Sequence, residues 1–287
     1  MRKAYFGLLF TIYILALIVS CGIRVYLTLT GGIDSVTGLY SRENTWVVVF
    51  NMTLLVAILL WSLMTLFRRT EHEYPLQFSG GIASLFSVLT GLAILGCAFA
   101  DINGFLASIS FGTVPAPQTS FFLSSAPSPL ASRLLIIKIV LAVLAALGMI
   151  LLAVKRDIGK AAFLGIFPAL WQLVVILERY IAYMSPTQIS DNLLSILFMT
   201  FAAVFLLGQA RSICGFKQRH SRNILIPTGF ATSLTGFAYS LPKLVSAASN
   251  IGFPQSYWEI AFTLYAFVLA IYSLAYVTGY TRAIKIV

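Results

Sequence analysis

Residues 133–154 read RLLIIKIVLAVLAALGMILLAV, a run whose only charge beyond its first position is Lys138 and which is followed at once by Lys155 and Arg156. About 20 apolar residues in a helix cross the hydrocarbon of a bilayer, where the backbone must satisfy its own hydrogen bonds. The stretch therefore predicts a membrane-spanning helix. It is stopped by a basic pair at one end and holds an amine inside the membrane near the other. Both features recur along the chain.

Apolar runs of similar length occupy 4–30, 45–67, 82–100, 161–184, 192–210, 224–248 and 257–280. The expected fold is all-α: a polytopic membrane protein of eight transmembrane helices in a single membrane domain, 1–287. Composition agrees. Hydrophobic residues make up 59% of the 287 and charged residues 10%, where a soluble domain carries about 25% charged residues. Mean hydropathy is +0.93. Spans and short connectors account for most of the chain, which leaves no length for a separate soluble domain.

The net charge of +10 is distributed with a strong bias. Alternate connectors hold Arg2, Lys3, Arg68, Arg69, Lys155, Arg156, Lys160, Arg211, Lys217, Arg219, Arg222, Arg282 and Lys285, whereas the opposite set holds only Arg42 and Arg133. The positive-inside rule then puts both termini in the cytoplasm of a plasma-membrane protein. The bias suits anionic inner-leaflet lipids and explains most of the charge without nucleic acid.

The first span begins Met1-Arg2-Lys3 and reaches Ile18-Val19-Ser20-Cys21, a pattern similar to a bacterial lipoprotein signal. The apolar run continues through Val25, Tyr26, Leu27 and Leu29 instead of giving way to a polar tether, so an uncleaved helix is expected. Cys21, Cys97 and Cys214 have no CxxC spacing and read as buried, unpaired thiols. The halves 1–158 and 159–287 echo each other. Leu89-Thr90-Gly91-Leu92-Ala93 returns as Leu234-Thr235-Gly236-Phe237-Ala238, and Met52-Thr53 as Met199-Thr200. Four spans per half would make two parallel four-helix repeats.

Charges inside the spans lie at one depth. Arg24, Lys138, Arg179 and Lys243 fall roughly 7–11 Å below the outer boundary at 1.5 Å per residue. Glu178 and Glu259 accompany them, with Asp101 expected at the rim. Four bases against so few carboxylates leave one or two positive charges without a counter-ion. Such a surplus suits an anionic small molecule or lipid headgroup, because Arg grips phosphate or carboxylate through paired hydrogen bonds. Snorkelling and interhelical ion pairs give a purely structural alternative. Glu178 and Arg179 are neighbours and project about 100° apart on a helix, so they address different helices.

Pro242 beside Lys243 removes a backbone hydrogen bond where the charge sits. Tyr13, Tyr26, Tyr180, Tyr183, Tyr239, Tyr257, Trp171 and Trp258 read mainly as an interfacial belt. The connector 101–132, with Pro115, Pro117, Pro127 and Pro129 among Phe105, Phe111, Phe121 and Phe122, reads as a cap or an interfacial packing loop.

The sequence carries no HExxH, GxSxG, paired-Asp or Walker pattern. His72 and His220 fall in cytoplasmic connectors, and Ser79-Gly80-Gly81 lacks the Lys of a phosphate loop. No cofactor, metal site or catalytic residue is expected. The short cytoplasmic connectors hold no ATP-binding domain, so any movement of solute would draw on a gradient or a partner subunit.

Arg24-Val25-Tyr26 followed by Gly32-Ile33-Asp34-Ser35-Val36-Thr37-Gly38-Leu39-Tyr40 resembles the outer end of the first span in a group of multi-pass membrane proteins of clostridia. Pro168-Ala169-Leu170-Trp171 is similar to that group too. The two stretches imply a Gram-positive plasma membrane and carry no assigned activity. Three functions follow as expectations. The first is a transporter or lipid-handling protein with an outward-facing anion pocket lined by Arg24, Lys138, Arg179 and Lys243, with Glu178, Glu259 and Asp101 orienting them. The second is a non-transporting accessory or sensor protein that docks a partner. The third is an outer-leaflet transferase.

Overall fold

The computed structural model describes residues 2–30, 32, 45–66, 81–110, 129–154, 159–182, 189–214, 218–248 and 256–283. These residues form eight α-helices and no strand: α1 (Arg2–Leu29), α2 (Thr45–Leu66), α3 (Gly81–Ser110), α4 (Pro129–Val154), α5 (Phe167–Ala182), α6 (Ile189–Ile213), α7 (Gln218–Ala248) and α8 (Tyr257–Ala283). All but α5 are long and apolar enough to cross a membrane, so the chain is a multi-pass helical membrane protein. A 3₁₀ segment, Gly159–Ile166, leads into the shorter α5.

Consecutive helices run antiparallel, as their side-chain pairs show. Tyr26 of α1 meets Trp46 at the start of α2, and Ser87 early in α3 donates to the carbonyl of Met149 late in α4. One end of the bundle therefore gathers the C-termini of α1, α3, α5 and α7 with the N-termini of α2, α4, α6 and α8. The sequence placed the charges at this end.

Helix α7 is the most buried and the least hydropathic of the long helices, while α2 is the most exposed. The two facts share a cause. Lipid solvates an apolar surface well, so α2 can present Val48, Met52, Leu55 and Leu59 outward. The Ser and Thr side chains of α7 instead need protein around them, and each first satisfies itself on its own helix. Thr228, Thr232, Thr235 and Ser240 donate to the carbonyls of Ile224, Thr228, Ala231 and Gly236, the usual resolution for hydroxyls in a membrane helix. Tyr13 and Ser233 hydroxyls, 2.7 Å apart, tie α1 to α7, and the Tyr13, Trp61 and Phe230 rings bring in α2. Helix α7 runs through Pro227 and Pro242 without a break.

Small residues set the closest crossings. A Cβ on Gly148 would come within 2.5 Å of the Leu164 carbonyl oxygen, so this glycine lets the 3₁₀ backbone press directly on α4. The two echoed glycines occupy corresponding crossings, with Gly91 against Ala146 and Ile150 of α4, and Gly236 against Ala266 and Ala270 of α8. Thr90 and Thr235 beside them both donate to the carbonyl four residues earlier. Around these matching crossings the halves pack differently. Helix α7 contacts α1, α2, α6 and α8, whereas α3 packs chiefly on α4 and α8.

Two of the boundaries that move relative to the sequence reading bear on the charged residues. Helix α3 continues past residue 100 to Ser110, so Asp101 is an interior residue, 1% exposed, and not a rim residue. The turn-forming pair Asn103-Gly104 does not end the helix, because Ile102, Phe105 and Leu106 continue its apolar pattern. Helix α6 begins at Ile189, which takes Asp191 out of the expected connector and into the first helical turn. Cys21 and Cys97 are buried free thiols as expected, but Cys214 is exposed. The turn at 33–40, His72, Ser79, Gly80, Tyr183 and connector residues 111–128 lie outside the described residues.

Candidate functional site

Among the described residues, two three-ion groups and the Arg179 guanidinium make up most of the charged layer. In the first group Arg24 of α1 forms an ion pair with Asp191 of α6. The second oxygen of Asp191 lies 3.4 Å from Lys243 Nζ of α7. Lys243 also donates to the Tyr239 hydroxyl at 3.3 Å and sits over that ring. One carboxylate thus joins three helices and serves two cations, which leaves the group with a formal charge of +1. It is the more open of the two groups, with the Asp191 side chain 25% and the Lys243 side chain 14% exposed.

In the second group Lys138 of α4 donates to Asp101 Oδ1 of α3 at 2.9 Å, and its Nζ lies 2.5 Å from Glu178 Oε2 of α5. The signs are exchanged, with one amine serving two carboxylates and a formal charge of −1. This group is buried: Lys138 and Asp101 are each 1% exposed and Glu178 6%. A crevice between α4 and α5, lined by Leu134, Leu135, Val174 and Leu177, runs to Lys138 and Glu178. Buried ion pairs of this kind hold helices together only when the partner charges stay in place, because either ion alone is strongly destabilised in an apolar interior.

Arg179 lies between the groups. Its Nη1 donates to Asn192 Oδ1 at 3.1 Å, and its guanidinium stacks 4.4 Å from the centroid of Trp258 and 5.5 Å from that of Phe262. Lys138 approaches the same Trp258 ring at 4.9 Å. Among the described residues Arg179 makes no ion pair, and its Nη2 is buried with no hydrogen-bond partner. Aromatic faces stabilise a desolvated guanidinium but do not accept all five of its N–H donors.

All seven residues singled out from the sequence thus lie at one end of the bundle, and six of them join the two groups or flank them. Glu178 and Arg179 diverge as their spacing requires, one toward α4 and the other toward α6 and α8. Glu259 makes no ion pair among the described residues. Its backbone N–H donates to Ser256 Oγ at 3.2 Å, which marks it as a helix-start residue of α8.

The expected surplus of positive charge is corrected by Asp191, which the sequence reading left in a connector. With it four bases face four carboxylates. The signal was present, since an acidic residue in a first helical turn is favoured by the helix dipole. Of the aromatics read as an interfacial belt, Tyr26 and Tyr257 are exposed. Trp258, Tyr239, Tyr13 and Trp171 are buried in the bundle, where the first two line the charged layer.

No family model matches this chain, and no curated protein or solved structure matches it either.

Proposed function

We propose that the protein is an eight-pass plasma-membrane transporter or lipid-handling protein that binds an anionic group at the charged layer, on the outer side. The observation that carries this reading is Arg179, a guanidinium inside the bundle with no carboxylate partner among the described residues and with a buried Nη2 lacking an acceptor. Beside it stands the open Arg24–Asp191–Lys243 group with its extra positive charge. A phosphate or carboxylate group on Arg179 would supply the missing acceptor and balance that charge together.

The eighth crossing rests on α5 and the segment before it. Sixteen α-helical residues span about 24 Å and eight 3₁₀ residues about 16 Å, enough in series to cross. The bias of basic residues supports cytoplasmic termini and hence an outward-facing layer.

The test is native mass spectrometry of the purified protein offered phosphatidylglycerol, phosphatidylcholine and inorganic phosphate in turn. Losing a hydrogen bond to a charged group is worth about 1.5–3 kcal/mol, so Arg179→Gln should lower retention of the anionic species roughly 10- to 100-fold and leave phosphatidylcholine unchanged. Equal retention by wild type and variant refutes the reading.

A second reading has its own support. Arg24, Lys138 and Lys243 all hold carboxylate partners, as they would in a non-transporting accessory protein whose ionic layer only locks helices together. Stoichiometric capture of a partner protein, with no solute uptake in liposomes, would favour it.

A further inference from the structure

We infer that an anion bound at Arg179 has a second binding site about 10 Å further in, at Gln172 and Trp171 on the axis of a six-helix ring formed by α3–α8. This second site rests on the anion reading of Arg179 and extends it from one site to a path.

The ring follows from which helices touch. Going round, α3 packs on α4, α4 on α5, α5 on α6, α6 on α7, α7 on α8 and α8 back on α3, while α1 and α2 attach outside through α7. In that order α5 and α8 stand on opposite sides, so side chains that join them cross the axis. Outermost, the Arg179 guanidinium lies 4.4 Å from the Trp258 centroid and 5.5 Å from that of Phe262. Two turns further in, the Tyr265 hydroxyl donates to Gln172 Oε1 at 2.8 Å, and the Trp171 ring meets Tyr265 edge-on at 5.0 Å. A third level is the hydrogen bond between Gln209 of α6 and Tyr272 of α8. Trp258, Tyr265 and Tyr272 recur every seventh residue and so form one stripe of α8 aimed at the axis.

The second observation is the set of groups left over there. Membrane helices pack well through small and apolar residues, and a buried N–H without an acceptor is costly. Helix α5 carries three such side-chain groups, Arg179 Nη2, Gln172 Nε2 and Trp171 Nε1, each buried and without a hydrogen-bond partner. Gln172 and Trp171 are both 0% exposed, and Tyr265 holds the Gln172 amide on the axis. At both levels the unpaired group is a donor, so the partner it fits is an acceptor such as an anion. Inward of the charged layer the apolar runs of these six helices hold no charged residue. A neutral amide and an indole grip an anion less tightly than a guanidinium does, and a weaker second site lets an ion move on from the first. Between the two levels Phe198 of α6 touches both Phe262 and Tyr265, so the path is closed in this form and opens by rotation of these rings.

The test is iodide quenching of tryptophan fluorescence in lipid nanodiscs, read from chains that keep one of the four tryptophans and carry Phe at the others. Iodide is an anion that quenches on contact. Trp258 reports the Arg179 level and Trp171 the Gln172 level. Trp61 is the control, equally buried but on α2 outside the ring, against Tyr13 and Phe230. Iodide should quench Trp171 saturably and caesium should not. Gln172→Leu should weaken the apparent iodide affinity at Trp171 roughly 10-fold and leave that at Trp258 unchanged. Quenching of Trp258 without Trp171 overturns the second site and leaves the Arg179 reading standing. Quenching of neither also overturns it, and the retention experiment then decides the Arg179 reading by itself. Trp61 quenched as strongly as Trp171, or quenching at Trp171 that Gln172→Leu does not weaken, overturns it as well. Should the single-tryptophan chains fail to fold, Trp171→Phe in the otherwise wild-type chain decides: it should remove part of the saturable quenching, and unchanged quenching overturns the second site.

Discussion

The Arg24–Asp191–Lys243 group and the Asp101–Lys138–Glu178 group follow the same three-ion plan with the signs exchanged, and they differ as much in exposure as in charge. The group with the extra cation is partly open at Asp191 and Lys243, while the group with the extra carboxylate is buried. A partly open cationic group can share its charge with water or an arriving anion. A buried anionic group is screened much less and depends on the partners held within the bundle. One depth of the bundle thus holds two different solutions to the same electrostatic problem.

The sharpest way to break this comparison is to remove the central ion of each group. Lys138→Met strands two buried carboxyls, and breaking a buried pair costs about 3–5 kcal/mol. Asp191→Asn leaves Arg24 and Lys243 facing each other, but in a partly wet site, and should cost only about 1–2 kcal/mol, within the range for lost hydrogen bonds to charged groups. Thermal unfolding in detergent with size-exclusion yield as a second readout measures both. Equal losses would mean that the exposure difference has no energetic consequence.

Salt sharpens the same contrast. Interactions between exposed charges are screened within about 10 Å at 0.1 M ionic strength, whereas buried pairs are screened much less. Raising salt from low to about 0.5 M should therefore shrink the Asp191→Asn penalty by roughly half and leave the Lys138→Met penalty unchanged. A parallel response of the two variants would place both groups in the same dielectric surroundings.

Much of this architecture was legible in the sequence, because run length and the bias of basic residues act locally. Residues 133–154 announce α4 unaided, and the common depth of Arg24, Lys138, Arg179 and Lys243 follows from counting along each run. Asp191 was missed since Pro186-Thr187-Gln188-Ile189-Ser190-Asp191-Asn192 is dense in turn formers, and a polar helix start looks the same as a loop until another helix supplies its partner. Asp101 was placed at a rim for a similar reason, with Asn103-Gly104 just beyond it. Which carboxylate meets which base is a tertiary fact. Among the described residues Lys138 takes two and Arg179 none, and no spacing in the chain encodes that choice. The role of α7 was legible only in part: Pro242 beside Lys243 singled it out, but its central place against α1, α2, α6 and α8 emerged from packing.

Glu259 offers the smallest effect and tests where the ionic layer ends. It stands in the first turn of α8, three residues after Ser256, whose hydroxyl accepts the Glu259 backbone N–H. That is the arrangement of a helix capping box, in which the Ser oxygen satisfies an otherwise unpaired amide. A carboxylate at this position gains from the helix dipole, by about 0.3–1 kcal/mol. It also lies within electrostatic reach of Lys243. If its main work is to start α8, Glu259→Gln should lower stability by only a few tenths of a kcal/mol, since Gln serves the capping box nearly as well. Ser256→Ala should cost about 1 kcal/mol through loss of the cap. Anion retention should be unchanged in both. A Glu259→Gln variant that lost anion retention as fully as Arg179→Gln would instead make this carboxylate a working member of the open group, and the contrast between the two triads would have to be redrawn around four ions on one side.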